Sequence, residues 1–225
     1  MASVTEESQG LINAKQHEDT TPDLEAGPIP AVDSDKGIAV MSVTIRKPIT
    51  LVSGIAIAYS YLPYLVCLGF SIWFVLDHII YPLWAALTLI TVSLVGEIGL
   101  KHIVREPRPE NSAVKSYGMP SSHSSTCIGL LFYTVFELLF PFEGVKPHWT
   151  ALQLTLAVFV TVVALAPVPW ARWYLEDHSL RQICVGSALG FIFGVSSYFV
   201  RVHFFPGVPL TDHVPLSFGL GHDSH

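Results

Sequence analysis

Charge is scarce in this sequence. Only 13 % of its 225 residues are Asp, Glu, Lys or Arg, about half the share usual in soluble domains. Mean hydropathy is positive, which argues against a water-soluble globule and for a bilayer. Cysteine is scarce too: Cys67, Cys127 and Cys184 each lie inside an apolar run. They read as small hydrophobes, not as a disulfide framework or a zinc site. No basic stripe interleaved with aromatics occurs, so nucleic acid is set aside as a partner. The N-terminus lacks the basic region and apolar stretch of a cleaved leader, and insertion is expected to fall to internal segments.

The charge that is present sits largely at the ends. Residues 1–46 are acidic and rich in Pro, Ser and Thr, too poor in large apolar side chains to offset the entropy of ordering a backbone; they are expected to form a disordered tail. A membrane domain is expected over 47–203 and a mobile tail over 204–225. That last tail is His-rich, with spacings that match no compact ligand set, and no metal is assigned to it. Five hydrophobic stretches, at roughly 50–76, 79–104, 121–140, 151–170 and 183–203, are each near the ~20 residues a helix needs to cross a hydrocarbon core. Inside a bilayer the backbone must satisfy itself, so the predicted fold is all-α: a polytopic helix bundle of four to five spans. Gly54, Pro63 and Gly69 leave the first stretch either kinked or re-entrant. Gly186, Gly190 and Gly194, four apart, give the last stretch a small-residue face for close helix packing.

Ionisable residues at membrane depth are costly and mark function. Three clusters qualify: Lys101 to Pro109 (K-H-I-V-R-E-P-R-P), Tyr117 to Ser124 (Y-G-M-P-S-S-H-S) and Ala171 to Gln182 (A-R-W-Y-L-E-D-H-S-L-R-Q). If spans two to five all cross, the end of the second, the start of the third, the end of the fourth and the start of the fifth share one membrane face. Lys101, Arg108, Arg172, His123 and His178 then surround one site. Fixed cations held together repel unless an anion lies between them, and guanidinium forks suit phosphate oxygens. Pro120, Ser121 and Ser122 read as a helix start, whose free N–H groups add anion affinity. Two imidazoles beside a phosphate suggest that one attacks phosphorus while the other protonates the leaving oxygen. No magnesium-type carboxylate cluster is evident, so no metal or other cofactor is assigned and the Lys and Arg cations are expected to stabilise the transferring phosphoryl group.

These clusters resemble the signature of the type 2 phosphatidic acid phosphatase superfamily, K-x6-R-P, P-S-G-H and S-R-x5-H-x3-D. Lys101 with Arg108-Pro109 fits the first, Pro120-Ser121-Ser122-His123 the second with Ser122 for Gly, and Arg172 with His178 the third. Ala171 stands where the family has Ser, and Gln182 where it has the Asp that orients the nucleophilic histidine. Gln182, one helical turn after His178, can still accept the Nδ1 proton; Glu176 and Asp177 are the alternatives. The E-P-R-P run, the Y-G-M-P-S-S-H-S segment and R-x-Y-L-x-x-H-x3-Q look most like the dolichyl diphosphatase branch, which carries Gln at that place.

The resemblance implies His178 as nucleophile, His123 as general acid and then base, Gln182 as the orienting residue, and Lys101, Arg108, Ser121, Ser122 and Arg172 around the phosphate. It implies hydrolysis of a polyisoprenyl diphosphate to the monophosphate in the endoplasmic reticulum membrane. A phosphatidate or other lipid monophosphate phosphatase shares every catalytic residue, and a non-catalytic lipid-phosphate binder would keep the cations. Both histidines are present, which weighs against the binder. Arg201, near the far end of the last span, points that end to the cytosol and the site to the lumen. Glu97 is expected to pair with Lys101, and Glu137 to make an inter-helix or helix-end hydrogen bond. Oligomeric state is not encoded in any feature of the sequence.

Overall fold

The computed structural model describes residues 37–45, 47–140 and 149–204. Five long helices follow the five hydrophobic stretches: α1 Leu51–Asp77, α2 Ile80–Val104, α3 Ser122–Leu139, α4 Ala151–Tyr174 and α5 Leu180–Phe204. Of these, α1, α2, α4 and α5 are each long and apolar enough to cross a membrane. Their large side chains, such as Leu65 and Leu76 on α1 or Phe159 and Val160 on α4, remain exposed on the outside of the bundle. α3 is more polar because it is the inner helix. Leu130, Leu131 and Tyr133 form the core there with Leu89, Val168 and Tyr198.

The fold is set by α3 against α5, which run in the same direction. At one end Ser121 N–H donates to the Gln182 carbonyl at 3.2 Å; at the other, Arg201 Nη2 donates to Glu137 Oε2 at 2.5 Å. Between these ends the backbones nearly touch. A Cβ on Gly190 would strike the Ser125 carbonyl oxygen, and one on Gly194 that of Gly129. Without a hydrophobic drive between helices in lipid, such close backbone approach is a main source of association. α3 therefore traverses the same depth as α5, although its own polarity hides this.

α1 begins at Thr50, whose hydroxyl accepts from Ser53 N–H while Ser53 Oγ accepts from Thr50 N–H. It runs unbroken through Pro63 to His78, where Phe70 and Trp73 meet Tyr81 and Tyr81 stacks on Tyr133 of α3. The first stretch is thus one continuous helix, long and apolar enough to cross, and not a re-entrant pair of half-helices. In α4, Pro167 has no N–H for the carbonyl of Val163, four residues back. Tyr59 of α1 supplies the missing donor, its hydroxyl lying 3.1 Å from Val163 O.

Two sequence expectations are altered. Residues 38–45, inside the segment expected to be disordered, form an antiparallel hairpin of β1 (Ile38–Val40) and β2 (Val43–Ile45). Its order comes from docking: Val43 and Thr44 are buried against the bundle, with Val43 on Ala56, Ala171 and Leu175. Residues 1–36, 46 and 205–225, the remainder of the expected tails, lie outside the described residues. Arg201, read as a marker of sidedness, is 2 % exposed and paired with Glu137. A charge consumed inside the bundle carries no information about which side is cytosolic.

Gly190→Ala should lower unfolding stability in detergent by about 1–3 kcal/mol, because the new methyl meets backbone and not a yielding side chain. Gly69→Ala, where a Cβ meets nothing within 4 Å, is the matched control, and thermal melts of both variants should separate them.

Candidate active site

The three polar clusters converge at one end of the bundle. In α2 the helix widens into a π-helical turn over Val95–Leu100, where Lys101 N–H donates to the Gly96 carbonyl five residues back. Such bulges re-aim side chains and recur at functional sites. Here the bulge turns Lys101 inward to 3 % exposure, with its Nζ 2.7 Å from Glu97 Oε1. Ser122 Oγ donates to the same carboxylate oxygen. The expected Glu97–Lys101 pair therefore exists and is shared with α3.

His178 lies at the turn between α4 and α5 and is 1 % exposed. Its Nδ1 is 2.9 Å from the Gly118 carbonyl and 3.2 Å from Gln182 Oε1. A carbonyl only accepts, so Nδ1 carries the proton and Nε2 the lone pair. The amide of Gln182 is itself fixed: its Nε2 donates to Pro107 O at 2.7 Å and to Glu106 Oε1 at 3.0 Å, while Oε1 accepts Ser179 N–H at 3.3 Å. The Gln182 amide thus links the His178 ring to the carboxylate of Glu106, one residue further out. Gly118 was not foreseen. A Cβ there would fall on the Gln182 amide, so the residue between Tyr117 and Met119 must be glycine for this acceptor pair to form.

Arg108 faces the other side of the imidazole. Its Nη1 is 3.0 Å from His178 Nε2 and donates to Asp177 O at 3.0 Å, while Nε and Nη2 bond the Ser116 carbonyl and hydroxyl at 3.1 and 3.2 Å. Burial, and next the neighbouring Arg172, pull its pKa down to about 10, so it stays cationic near neutral pH. The same burial, with the positive charges of Arg108, Arg172 and Lys101, holds His178 well below the ordinary imidazole range. The unliganded site keeps His178 neutral with its lone pair on Nε2.

Arg172 is fully buried. Its Nη1 forms an ion pair with Asp177 Oδ2 at 3.0 Å and Nη2 donates to the Ser42 carbonyl of the hairpin, while Nη1 and Nε are both buried without a hydrogen-bond partner. Asp177 makes this ion pair and does not face the His178 ring, so it is not the substitute for the family Asp that the sequence allowed.

His123, in the first turn of α3, is 8 % exposed with Nε2 unpartnered; its ring meets Tyr64 edge-on with centroids 5.3 Å apart. The first intrahelical bond of α3 is Ser125 N–H to Ser121 O, which leaves the N–H groups of Ser122, His123 and Ser124 at the helix start for an anion. Ser121 differs from expectation: its N–H is spent on Gln182, its Oγ pairs with Ser124 Oγ at 3.0 Å, and it is fully buried. It joins α3 to α5 and is withdrawn from the anion position.

Beside His123 a cavity of about 340 Å³ runs between α1, α2 and α3, lined by Pro63, Tyr64, Cys67, Ile90 and Leu94. Among the described residues, no group of three or more His, Cys, Asp or Glu comes together as a metal site would need.

A family model described as the PAP2 superfamily matches residues 81–205, more than half of the chain. Among curated proteins, the dolichyldiphosphatase of Saccharomyces cerevisiae is 26 % identical over 155 residues, 63 % of this chain and 61 % of its own length. Dolichyldiphosphatase 1 of Dictyostelium discoideum is 32 % identical over 115 residues, 48 % of this chain and 49 % of its own. Lipid phosphate phosphatase gamma of Arabidopsis thaliana is 32 % identical over 106 residues, 45 % of each chain. The chain spans about half to three-fifths of the length of these relatives. No solved structure gives a significant match.

The neutral, buried His178 has a pH signature. Below about pH 6.5 the unfolded chain takes up a proton that the folded site refuses, so stability is full above that pH and is lost as pH falls. In phosphate-free buffer the decline attributable to this residue should reach about 1.4 kcal/mol per pH unit. Denaturant titrations from pH 7.5 to 5 should show a shallower decline for His178→Gln; identical profiles would exclude a neutral His178.

Proposed function

The chain belongs to the PAP2 superfamily, and from that premise we propose that it is a membrane lipid phosphatase that cleaves dolichyl, or another polyisoprenyl, diphosphate to the monophosphate and phosphate through a phosphohistidine on His178. The observation that carries this reading is the His178 tautomer. With Nδ1–H committed to Gly118 and Gln182, the nucleophilic lone pair points to Arg108, where the terminal phosphate would be held.

In this mechanism the phosphate displaces the Arg108–Nε2 contact and takes the Arg108 fork onto its own oxygens. Arg172, Lys101 and the N–H groups at the start of α3 neutralise the remaining charge. The diphosphate binds together with a proton that His123 Nε2 takes up beside the anion; His178 Nε2 then forms a bond to phosphorus as the bond from phosphorus to the bridging oxygen breaks, and His123 gives that proton to the oxygen. The lipid monophosphate leaves. His123 then takes a proton from water as the water oxygen attacks phosphorus, which releases phosphate and restores His178. Gly118 and Gln182 are neutral acceptors, so they fix the ring without strongly stabilising the positive phosphoimidazole, which favours its turnover.

The apolar cavity beside His123 suits the first units of a lipid chain, with its axis between α1 and α2. The names of the relatives supply the choice of diphosphate over monophosphate, and the endoplasmic reticulum membrane follows from that substrate.

Purified protein should release phosphate from dolichyl diphosphate faster than from dolichyl phosphate or phosphatidate, and should do so in excess chelator. His178→Ala should abolish release by at least about a thousandfold, and His123→Ala should slow it about a hundredfold or more. A preference for phosphatidate would keep the mechanism and move the substrate; no release from any lipid phosphate would leave a binding protein.

A further inference from the structure

The hairpin β1–β2 is built in a way its own sequence does not favour. A two-residue turn joins Val40 to Val43, and both turn residues, Met41 and Ser42, have positive φ, 45° and 65°. Turns of this kind ordinarily take Asn, Asp or Gly, and a side chain held there carries strain of order 1 kcal/mol or more. The surrounding contacts must hold it in place, and those contacts lead to the site. Tyr61 and Tyr64 of α1 donate their hydroxyls to the carbonyls of Val40 and Met41 at 3.1 and 3.2 Å. The next carbonyl, that of Ser42, accepts from Arg172 Nη2. Thr44, two residues on, donates its N–H to both oxygens of Asp177 at 3.2 Å and its hydroxyl to Oδ1. Ser112 Oγ adds a donor at 3.3 Å, and Thr44 Oγ1 accepts Ala113 N–H at 3.1 Å.

Asp177, Arg172 and Thr44 are each at most 1 % exposed. A charge pair buried this deeply persists only when its remaining hydrogen-bonding capacity is filled. Thr44 fills that of Asp177; on Arg172, Ser42 takes a hydrogen bond from Nη2 and Asp177 balances the charge at Nη1. Nη1 and Nε are buried without a hydrogen-bond partner, which leaves that edge of the guanidinium with N–H groups to give to an anion.

We propose that Asp177 and Thr44 are positioning residues for Arg172, and that the hairpin is a roof that completes the phosphate site. This rests on the reading that Arg172 holds the phosphate. The roof comes from a segment ahead of the first span. It is joined to the site through Thr44, and the strained turn aims the Ser42 carbonyl at the same guanidinium.

The test uses the full chain in lipid nanodiscs with Thr44→Val, which removes the hydroxyl at nearly constant shape, and Thr44→Ser, which keeps it. Three quantities are read: kcat/KM on dolichyl diphosphate, the inhibition constant of orthovanadate, and the inorganic phosphate concentration that gives half the maximal thermal shift. Thr44→Val should lower kcat/KM about tenfold and raise both anion constants by a similar factor, while its melting temperature without anion stays within about 3 °C. Thr44→Ser should match the parent in all three. Unchanged anion constants in Thr44→Val, or equal losses in Thr44→Ser, would overturn the proposal. A parent protein that shows the phosphate shift but releases no phosphate from any lipid would refute catalysis alone and leave the anion arm decisive; one that shows no shift would overturn both.

Discussion

Positive charges that share a water-poor pocket repel one another, and the architecture of this site follows from holding them there. Lys101, Arg108 and Arg172 are all drawn into one end of the bundle, and each is tied to a different part of the fold. Lys101 is held by Glu97 across a π-helical turn, Arg108 by carbonyls of Ser116 and Asp177, and Arg172 by Asp177 and the hairpin. Removing one partner from such a pair leaves a buried charge whose desolvation is no longer compensated. The elements that carry these anchors, from the hairpin to the loop before α3, are therefore fixed by electrostatics as much as by packing. What remains without a hydrogen-bond partner is an edge of the Arg172 guanidinium and Nε2 of His123, beside the start of α3.

The replacement of the usual orienting carboxylate by Gln182 is the second organising feature. A glutamine can present either end of its amide, and by itself would leave the tautomer of His178 undetermined. Glu106 and Pro107 settle the matter by accepting both protons of its NH2 group. The E-P-R-P run thus reaches the histidine from two sides, through Arg108 at Nε2 and through its first two residues, by way of Gln182, at Nδ1. The negative charge is still present, but it sits behind a neutral amide and not against the imidazole.

Much of this was legible in the sequence because it depends on spacing and on span counting. Five apolar stretches gave five helices, and the convergence of Lys101, Arg108, His123, Arg172 and His178 follows from which ends of those helices share a face. The features that were not legible depend on contacts between residues far apart. Nothing in the acidic N-terminal composition marks residues 38–45 as ordered, since only Val43 and Thr44 are buried and the partners that hold them, from Ala56 through Ala113 to Ala171 and Asp177, are scattered along the chain. Glycine at 118 reads as a loop residue until the Gln182 amide is placed against it. Asp177 and Arg201 share one lesson: a charge looks available in a sequence, and only the packed bundle reveals what it is already bound to.

The docking of the hairpin also fixes the chain's path. Residues 38–45 touch the site, α1 leaves from there to the aromatic cluster at Tyr81, α2 returns to Lys101, and α3 departs toward Glu137. α4 returns to Arg172, and α5 departs for the last time toward Arg201. Five passages beginning at the site end on the opposite side. The hairpin therefore sits at the same end of the bundle as the site, and Phe204 at the other. A molecule that grips the hairpin thus acts beside Arg172 and Asp177 directly, whereas one that grips Phe204 can reach the chemistry only through the length of α5.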